Sequence, residues 1–276
     1  MAPASQAPSV KLANGVPMPR IGLGVYLVAS GRATREAVAS ALRLGYRHVD
    51  TARLYENEAD VGRAMRESGI AREDLFVTTK LWNSDHGFDR ALAAFEESRA
   101  ALGLDTVDLF LLHWPVRRLR LDSWRALERL YDEGRVRAIG VSNFMIHHLQ
   151  ELMDHSRITP MVNQIEAHPF LQQREVRAWC ADQKIAVAAY CPLAKGATLG
   201  DPTVKAVAAE AGVTPAQAVL AWGLHHDLIV LPKSIHPERQ AENLAAAGVK
   251  LSAAQIARLD GLERGMVTDW DPREAP

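Results

Sequence analysis

Gly45-Tyr46-Arg47-His48-Val49-Asp50-Thr51-Ala52 opens the stretch GYRHVDTARLYENEADVGRAMRESGIAREDLFVTTK, residues 45–80, whose reading decides the fold. Residues 46–50 are a short run of strand formers, residues 57–68 read as a helix, and residues 76–80 form a second strand. Two strands joined through a helix lie parallel, because a parallel pair needs a crossover of that length. Both strands end on an ionisable side chain, Asp50 and Lys80, and Tyr55 follows soon after the first.

Outward from this stretch the same unit repeats. Further strand-like runs occupy residues 21–24, 107–113, 136–142, 161–166, 185–190 and 228–232. Several are apolar almost throughout, as parallel strands covered on both faces are. Helical patterns fill the gaps. Residues 34–44 start at a candidate cap, Thr34, and stop before Gly45. Residues 122–133 start at Asp122, place Trp124, Leu127 and Leu130 on one face, and stop at Gly134. Others cover residues 87–102, 146–155, 172–183, 203–211, 215–224 and 237–247, and a last one covers 252–262. Near the start, residues 10–12 and 16–18 flank Asn14-Gly15 and predict a hairpin with a type I′ turn. Eight β-then-α units without a composition break predict an α/β chain folded as a (β/α)8 TIM barrel. The hairpin caps its bottom and an extra C-terminal helix follows. The whole chain, residues 1–276, is expected to form one barrel domain, with residues 1–9 a flexible lead-in. A doubly wound sheet is the structural alternative.

Composition narrows the function. The chain has 276 residues, 48% of them hydrophobic, and 32 Lys and Arg against 33 Asp and Glu give a net charge of -1. Such a balance points to neither nucleic acid nor an anionic membrane as partner. No apolar run approaches the ~18 residues that span a bilayer. Cys180 and Cys191 are too few for a disulfide framework, so the expectation is reduced thiols in a cytoplasmic protein.

Several motifs fail on inspection. Gly22-x-Gly24 starts like a dinucleotide fingerprint, but Leu27 stands where the third glycine belongs. Ser142, in Gly140-Val141-Ser142-Asn143-Phe144, lacks the last glycine of a nucleophile elbow. His147-His148 and His225-His226 are adjacent pairs whose side chains diverge on a helix, so no metal site is expected.

Barrel enzymes place their chemistry at the C-terminal strand ends. There the sequence puts Asp50, Tyr55, Lys80 and His113. Reducing a carbonyl requires a hydride on carbon and a proton on oxygen. Tyr55 can supply the proton. Lys80 beside it is expected to lower the phenol pKa from about 10. Asp50 would hold Lys80 charged, and His113 would hydrogen-bond and orient the carbonyl oxygen.

Residues 45–52 with Tyr55-Glu56-Asn57-Glu58, Thr79-Lys80-Leu81-Trp82 and Leu111-Leu112-His113-Trp114-Pro115 resemble segments of the aldo-keto reductase family. So do Gly140–Phe144, Asn163-Gln164-Ile165-Glu166, and Leu231-Pro232-Lys233-Ser234 with Arg239, Glu242 and Asn243, all in the family's order. The closest likeness is to its bacterial 2,5-diketo-D-gluconate reductase-like group. The resemblance implies a catalytic tetrad of Asp50, Tyr55, Lys80 and His113. It implies a small-molecule carbonyl substrate and NADPH/NADP+ as cofactor. Ser142, Asn143 and Gln164 would meet the carboxamide, with Tyr190 on the ring and Asp50 nearby. Val25 and Tyr26 would line the mouth, and Pro192 and Leu193 the pyrophosphate. Lys233, Ser234, Ile235, Arg239, Glu242 and Asn243 would close the cofactor site without a Rossmann fingerprint. Tyr26, Trp82, His113 and Trp114 would line the substrate pocket, joined on a looser argument by Trp270. Many members are monomers, and the sequence leaves the oligomeric state open.

The loop over residues 115–121 is short for the family, which implies an open pocket. It carries Arg117, Arg118 and Arg120, which either decorate the surface or attract an acidic substrate. Cys191 reads as a small packed side chain. Two other functions fit the barrel. One is a redox-sensing NADPH-binding module with negligible turnover. The other is an isomerase or aldolase using Lys80 as a Schiff base.

Overall fold

The computed structural model describes residues 8–275. An antiparallel hairpin, β1 (Ser9–Lys11) and β2 (Pro17–Pro19), precedes the main sheet, with Val10 opposite Met18. The main sheet holds β3 (Leu23–Gly24), β4 (His48–Asp50), β5 (Phe76–Leu81), β6 (Val107–Leu112), β7 (Val136–Ser142), β8 (Val162–Glu166), β9 (Ala186–Tyr190) and β10 (Ile229–Leu231). All are parallel, and each pairs with its neighbour in chain order. β5 and β6 are buried at every residue, which explains their unbroken apolar runs.

The sheet closes on itself. Gly22 N–H donates to Val230 O at 3.0 Å, Val230 N–H to Arg20 O at 2.8 Å, and Gly24 N–H to Pro232 O at 3.1 Å. This closure accounts for the glycine pair that starts like a nucleotide motif. A Cβ on Gly22 would stand 2.6 Å from the His48 ring, and one on Gly24 3.2 Å from Leu231 O. The two residues are bare because the first and last strands meet there.

Helices α1 (Arg32–Leu44), α2 (Glu58–Glu67), α3 (Phe88–Leu102), α4 (Arg120–Asp132), α5 (Ile146–Asp154) and α6 (Arg174–Asp182) alternate with the strands. α7 (Pro202–Ala211) and α8 (Pro215–His225) both lie between β9 and β10, and α9 (Pro237–Ala245) and α10 (Ala253–Asp260) follow. α9 is tied to the first unit: Tyr46 Oη donates to Gln240 O at 3.0 Å, and Gln240 Nε2 to Ala37 O at 2.9 Å. No described helix is long and apolar enough to cross a membrane. Both cysteines are free.

Three local expectations are corrected. α1 starts at Arg32 behind Gly31, so Thr34 lies inside the first turn, and its hydroxyl donates to Ala29 O at 2.8 Å. α4 starts at Arg120, so Asp122 is a first-turn acid paired with Arg125 rather than a cap. The hairpin turn is not type I′, which needs positive φ at both central residues. Leu12 N–H bonds Val16 O and Gly15 N–H bonds Leu12 O, with a φ of 87° at Gly15 and no positive φ at Asn14. This is a three-residue loop closed by a left-handed glycine. The hairpin does sit at the N-terminal strand ends, where Asn14 Nδ2 donates to Arg137 O at 2.8 Å beside the start of β7. Of the expected lead-in, residues 1–7 lie outside the described residues, and Ser9 is already paired with Pro19.

Candidate active site

The C-terminal strand ends surround a cavity of about 700 Å³. Behind Asp50 and Tyr55, which line it, lies Lys80, fully buried on β5. Its ammonium has three hydrogens and three acceptors: Asp50 Oδ1 at 2.6 Å, Thr51 O at 2.9 Å and Tyr55 Oη at 3.3 Å. Asp50, at the end of β4, also accepts from Gln164 Nε2 at 2.7 Å. Tyr55 reaches the same point from a short turn after β4, stopped by Glu56 in the left-handed region. The His113 ring stands edge-on to Tyr55, centroids 5.9 Å apart. The four groups expected to act together are therefore brought together.

Burial pushes the Tyr55 phenol well above the ordinary tyrosine value, and the Asp50 carboxylate adds to the effect. This reverses the expected lowering by Lys80. The reason is burial, which disfavours the charged phenolate, with the Asp50 carboxylate beside Lys80 adding to it. Tyr55 thus holds its proton at neutral pH. Burial pulls the Lys80 ammonium down, while Asp50 works to raise it. Burial holds His113 well below the usual histidine value, helped by the charge of Lys80 and by His86. Its ring is neutral.

Tyr26, Ser142, Asn143, Gln164, Tyr190, Pro192 and Leu193 line the cavity beside Asp50, as do Lys233, Ser234, Ile235, Arg239, Glu242 and Asn243. Ser142 is in register with Gln164 and donates to its carbonyl at 2.8 Å. Tyr190 Oη donates to Asn143 Oδ1 at 2.8 Å. Val25 does not line the cavity; it is fully buried, and its carbonyl accepts from Asn57 Nδ2 at 3.1 Å. On the other side are Tyr26, His113 and Trp114. Trp82 is not on this wall. Its ring supports His113 edge-on at 5.1 Å and borders a neighbouring groove beside Arg53 and Asp85. Trp270 takes a wall position, its ring 5.7 Å from that of Trp114.

Lys233 and Arg239 have no ion-pair partner among the described residues, and they flank the start of α9, which has Pro237 at its first position and no side-chain cap. Free helix N–H groups beside two cations form an anion-binding cradle. This end fits the phosphate of a nucleotide. Arg117 and Arg118 are exposed and off the cavity, and Arg120 is held by Glu151 and by Pro115 O.

Sequence reasoning missed several wall residues. Leu27 and Cys191 line the cavity with positive φ of 57° and 45°, conformations that side chains other than Gly, Asn and Asp rarely adopt. Burial pushes the Cys191 thiol up to about 11, so it is no ready nucleophile. Lys195, Asp269 and Leu54 also line the cavity. The segment after α10 crosses the mouth as a strap. Thr268 donates through both its N–H, at 2.9 Å, and its hydroxyl to the buried Glu166 on β8. Lys195 Nζ donates to Thr268 O at 2.7 Å. Burial works to raise the Glu166 carboxyl, but hydrogen bonds from His168 and Thr268 outweigh it and hold the carboxyl below the usual range.

Residues 20–264 match the pattern of the Aldo/keto reductase family. The chain is 46% identical over 272 residues to the glyoxal reductase of Bacillus subtilis, covering 99% of each chain. A crystal structure of an aldo/keto reductase from Brucella melitensis superposes with a TM-score of 0.90 at 44% identity, covering 93% of this chain and all of that one, 100%. The Bombyx mori aldo-keto reductase in complex with NADP superposes with a TM-score of 0.91 at 33% identity over 96% of both chains. With the pattern spanning the barrel and these likenesses spanning nearly the whole length, the chain belongs to the aldo/keto reductase family.

Proposed function

We propose that this reductase uses NADPH to reduce small neutral aldehydes and dicarbonyls, with Tyr55 as the proton donor. The observation that carries the reading is the Lys80 ammonium, whose three hydrogens are given to Asp50, Thr51 and Tyr55. Because the Tyr55 oxygen accepts from Lys80, its own hydrogen is free for the cavity. As negative charge builds on the carbonyl oxygen, Tyr55 passes its proton to a base far stronger than phenolate, and Lys80 stabilises the phenolate left behind. A neutral His113 donates to the same oxygen and orients it. NADPH, when bound, supplies the hydride. Lys233, Arg239 and the start of α9 would hold the phosphate on its adenosine ribose.

The substrate wall favours neutral carbonyls. Tyr26, Leu54, Trp114 and Trp270 are apolar or aromatic, and Lys195 on the same wall is engaged by Thr268 O and lies 3.6 Å from Asp269. A keto acid would meet no uncommitted cation there among the described residues. The likeness to a glyoxal reductase supports this class. A Schiff base on Lys80 is disfavoured, because the amine is fully buried with every hydrogen committed.

The test is steady-state reduction of methylglyoxal against pyruvate, which differ chiefly in a carboxylate, with NADPH or NADH. Methylglyoxal should be favoured by about a hundredfold in kcat/KM, the cost of leaving a carboxylate unpaired. Arg239→Ala should weaken NADPH roughly ten- to hundred-fold and leave NADH nearly unchanged. NADPH binding without turnover of any carbonyl would favour the sensing module instead.

A further inference from the structure

The strap over the mouth is fastened on both sides of Trp270. On the first side Thr268 is bound at every polar atom it has: its N–H and hydroxyl go to Glu166, and its carbonyl takes the Lys195 ammonium. Trp270 itself is 54% exposed, and its indole makes no hydrogen bond among the described residues. Its ring stands 5.7 Å from that of Trp114 and 6.5 Å from that of Trp82. A side chain with so little area removed from water is not held in one place by its own burial. The chain on either side of it must do so.

The second fastening is on α5. After Trp270 the chain makes a short turn, Pro272–Glu274, in which Asp271 Oδ1 accepts from Arg273 N–H at 3.0 Å and Ala275 N–H donates to Pro272 O at 3.1 Å. Pro272 is buried. Ala275 O then meets His148 Nε2 at 2.9 Å. His148 lies in the first turn of α5, fully buried and off the cavity. A carbonyl can only accept, so Nε2 carries a proton. Nδ1 accepts from Met145 N–H at 3.1 Å. Burial pulls the imidazole down to about 4, so at neutral pH that one proton is all it has. The ring stands edge-on to Phe144, centroids 5.8 Å apart. One nitrogen thus serves the start of its own helix and the other serves the strap.

We propose that His148 is a positioning residue for the substrate wall: it ties the far end of the strap to α5 and so holds Trp270 against Trp114, where the indole favours carbonyls with an aromatic body. His148 acts through the strap and touches neither substrate nor cofactor. The inference rests on reading Trp270 as part of the substrate wall, but the tie between His148 and Trp270 can be read without any turnover.

The test separates the two bonds of His148. His148→Asn puts an oxygen near the place of Nδ1, which keeps the Met145 bond, but is too short for Ala275. His148→Gln puts an amide nitrogen near the place of Nε2, which keeps the strap bond and gives up the helix bond. In steady-state kinetics His148→Asn should raise KM for benzaldehyde roughly three- to tenfold, as Trp270→Ala does. Its kcat, its KM for methylglyoxal and its NADPH dissociation constant should hold, and His148→Gln should stay near wild type throughout. Added to Trp270→Ala, His148→Asn should raise KM no further, because its effect runs through that ring. A wild-type KM in His148→Asn, equal impairment of the Asn and Gln variants, or additive losses in the double variant would each overturn the proposal. In protein labelled with fluorotryptophan, the Trp270 fluorine signal, assigned by its loss in Trp270→Ala, should shift or broaden in His148→Asn and not in His148→Gln. Should Trp270→Ala leave KM for benzaldehyde unchanged, the substrate-wall reading of that ring falls. An unmoved fluorine signal in His148→Asn is what sinks the tie itself.

Discussion

At the scale of single residues, the Lys80 ion pair couples chemistry to stability. Tyr55→Phe removes one hydroxyl from a cavity wall and leaves the Lys80–Asp50 contact in place. Reduction should fall nearly to background, while NADPH affinity and thermal stability hold; comparable turnover would remove Tyr55 as the acid. Lys80→Met should lose activity as well, but it strands a buried carboxylate, so unfolding should also become easier by about 3–5 kcal/mol. Equal melting temperatures for the two variants would contradict this account. The four site residues were legible because each closes or closely follows an apolar strand. The direction of the Tyr55 pKa was not, because it depends on burial, to which the Asp50 carboxylate adds. Nor were Leu27 and Cys191, since a side chain forced into positive φ leaves no mark in sequence.

At the scale of elements, period and punctuation located the strands and the helices to within a few residues. They failed at helix starts. Arg32 and Arg120 open their helices ahead of Thr34 and Asp122, the better local caps, because tertiary packing sets where the first turn begins. They failed also on the strap after α10, which has no periodicity and is placed by Glu166, Lys195 and Phe170. Since the strap carries Trp270 on the substrate side, Trp270→Ala should raise KM for aromatic aldehydes roughly three- to tenfold and leave the NADPH dissociation constant alone. A matching loss of NADPH affinity would mean that the strap serves the cofactor instead.

At the scale of the whole molecule, buried neutral histidines set the acid limit of the fold. Burial pulls His48 down to about 4, partly countered by Asp50, and burial with Arg90 pulls His86 to about 4. In the unfolded chain both titrate near about 6.5. Below that pH the unfolded state binds protons that the folded state refuses, so stability is full above about 6.5 and is lost as pH falls toward about 4. Each histidine should contribute a slope on the order of 1 kcal/mol per pH unit, measurable by urea unfolding between about pH 7 and about pH 5. A flat profile there would count against the buried neutral assignment. Closure of the barrel has a kinetic consequence. The first and last strands come from opposite ends of the chain, so their pairing has a high sequence separation and forms late. Until β10 arrives, one edge of β3 has no strand beside it. Lys233 to Asn243 follow directly on β10, so the cradle proposed for the nucleotide comes into being with that last pairing. A ligand that recognises only the finished cradle adds its binding free energy to the closing step, drawing the open chain shut as its concentration rises.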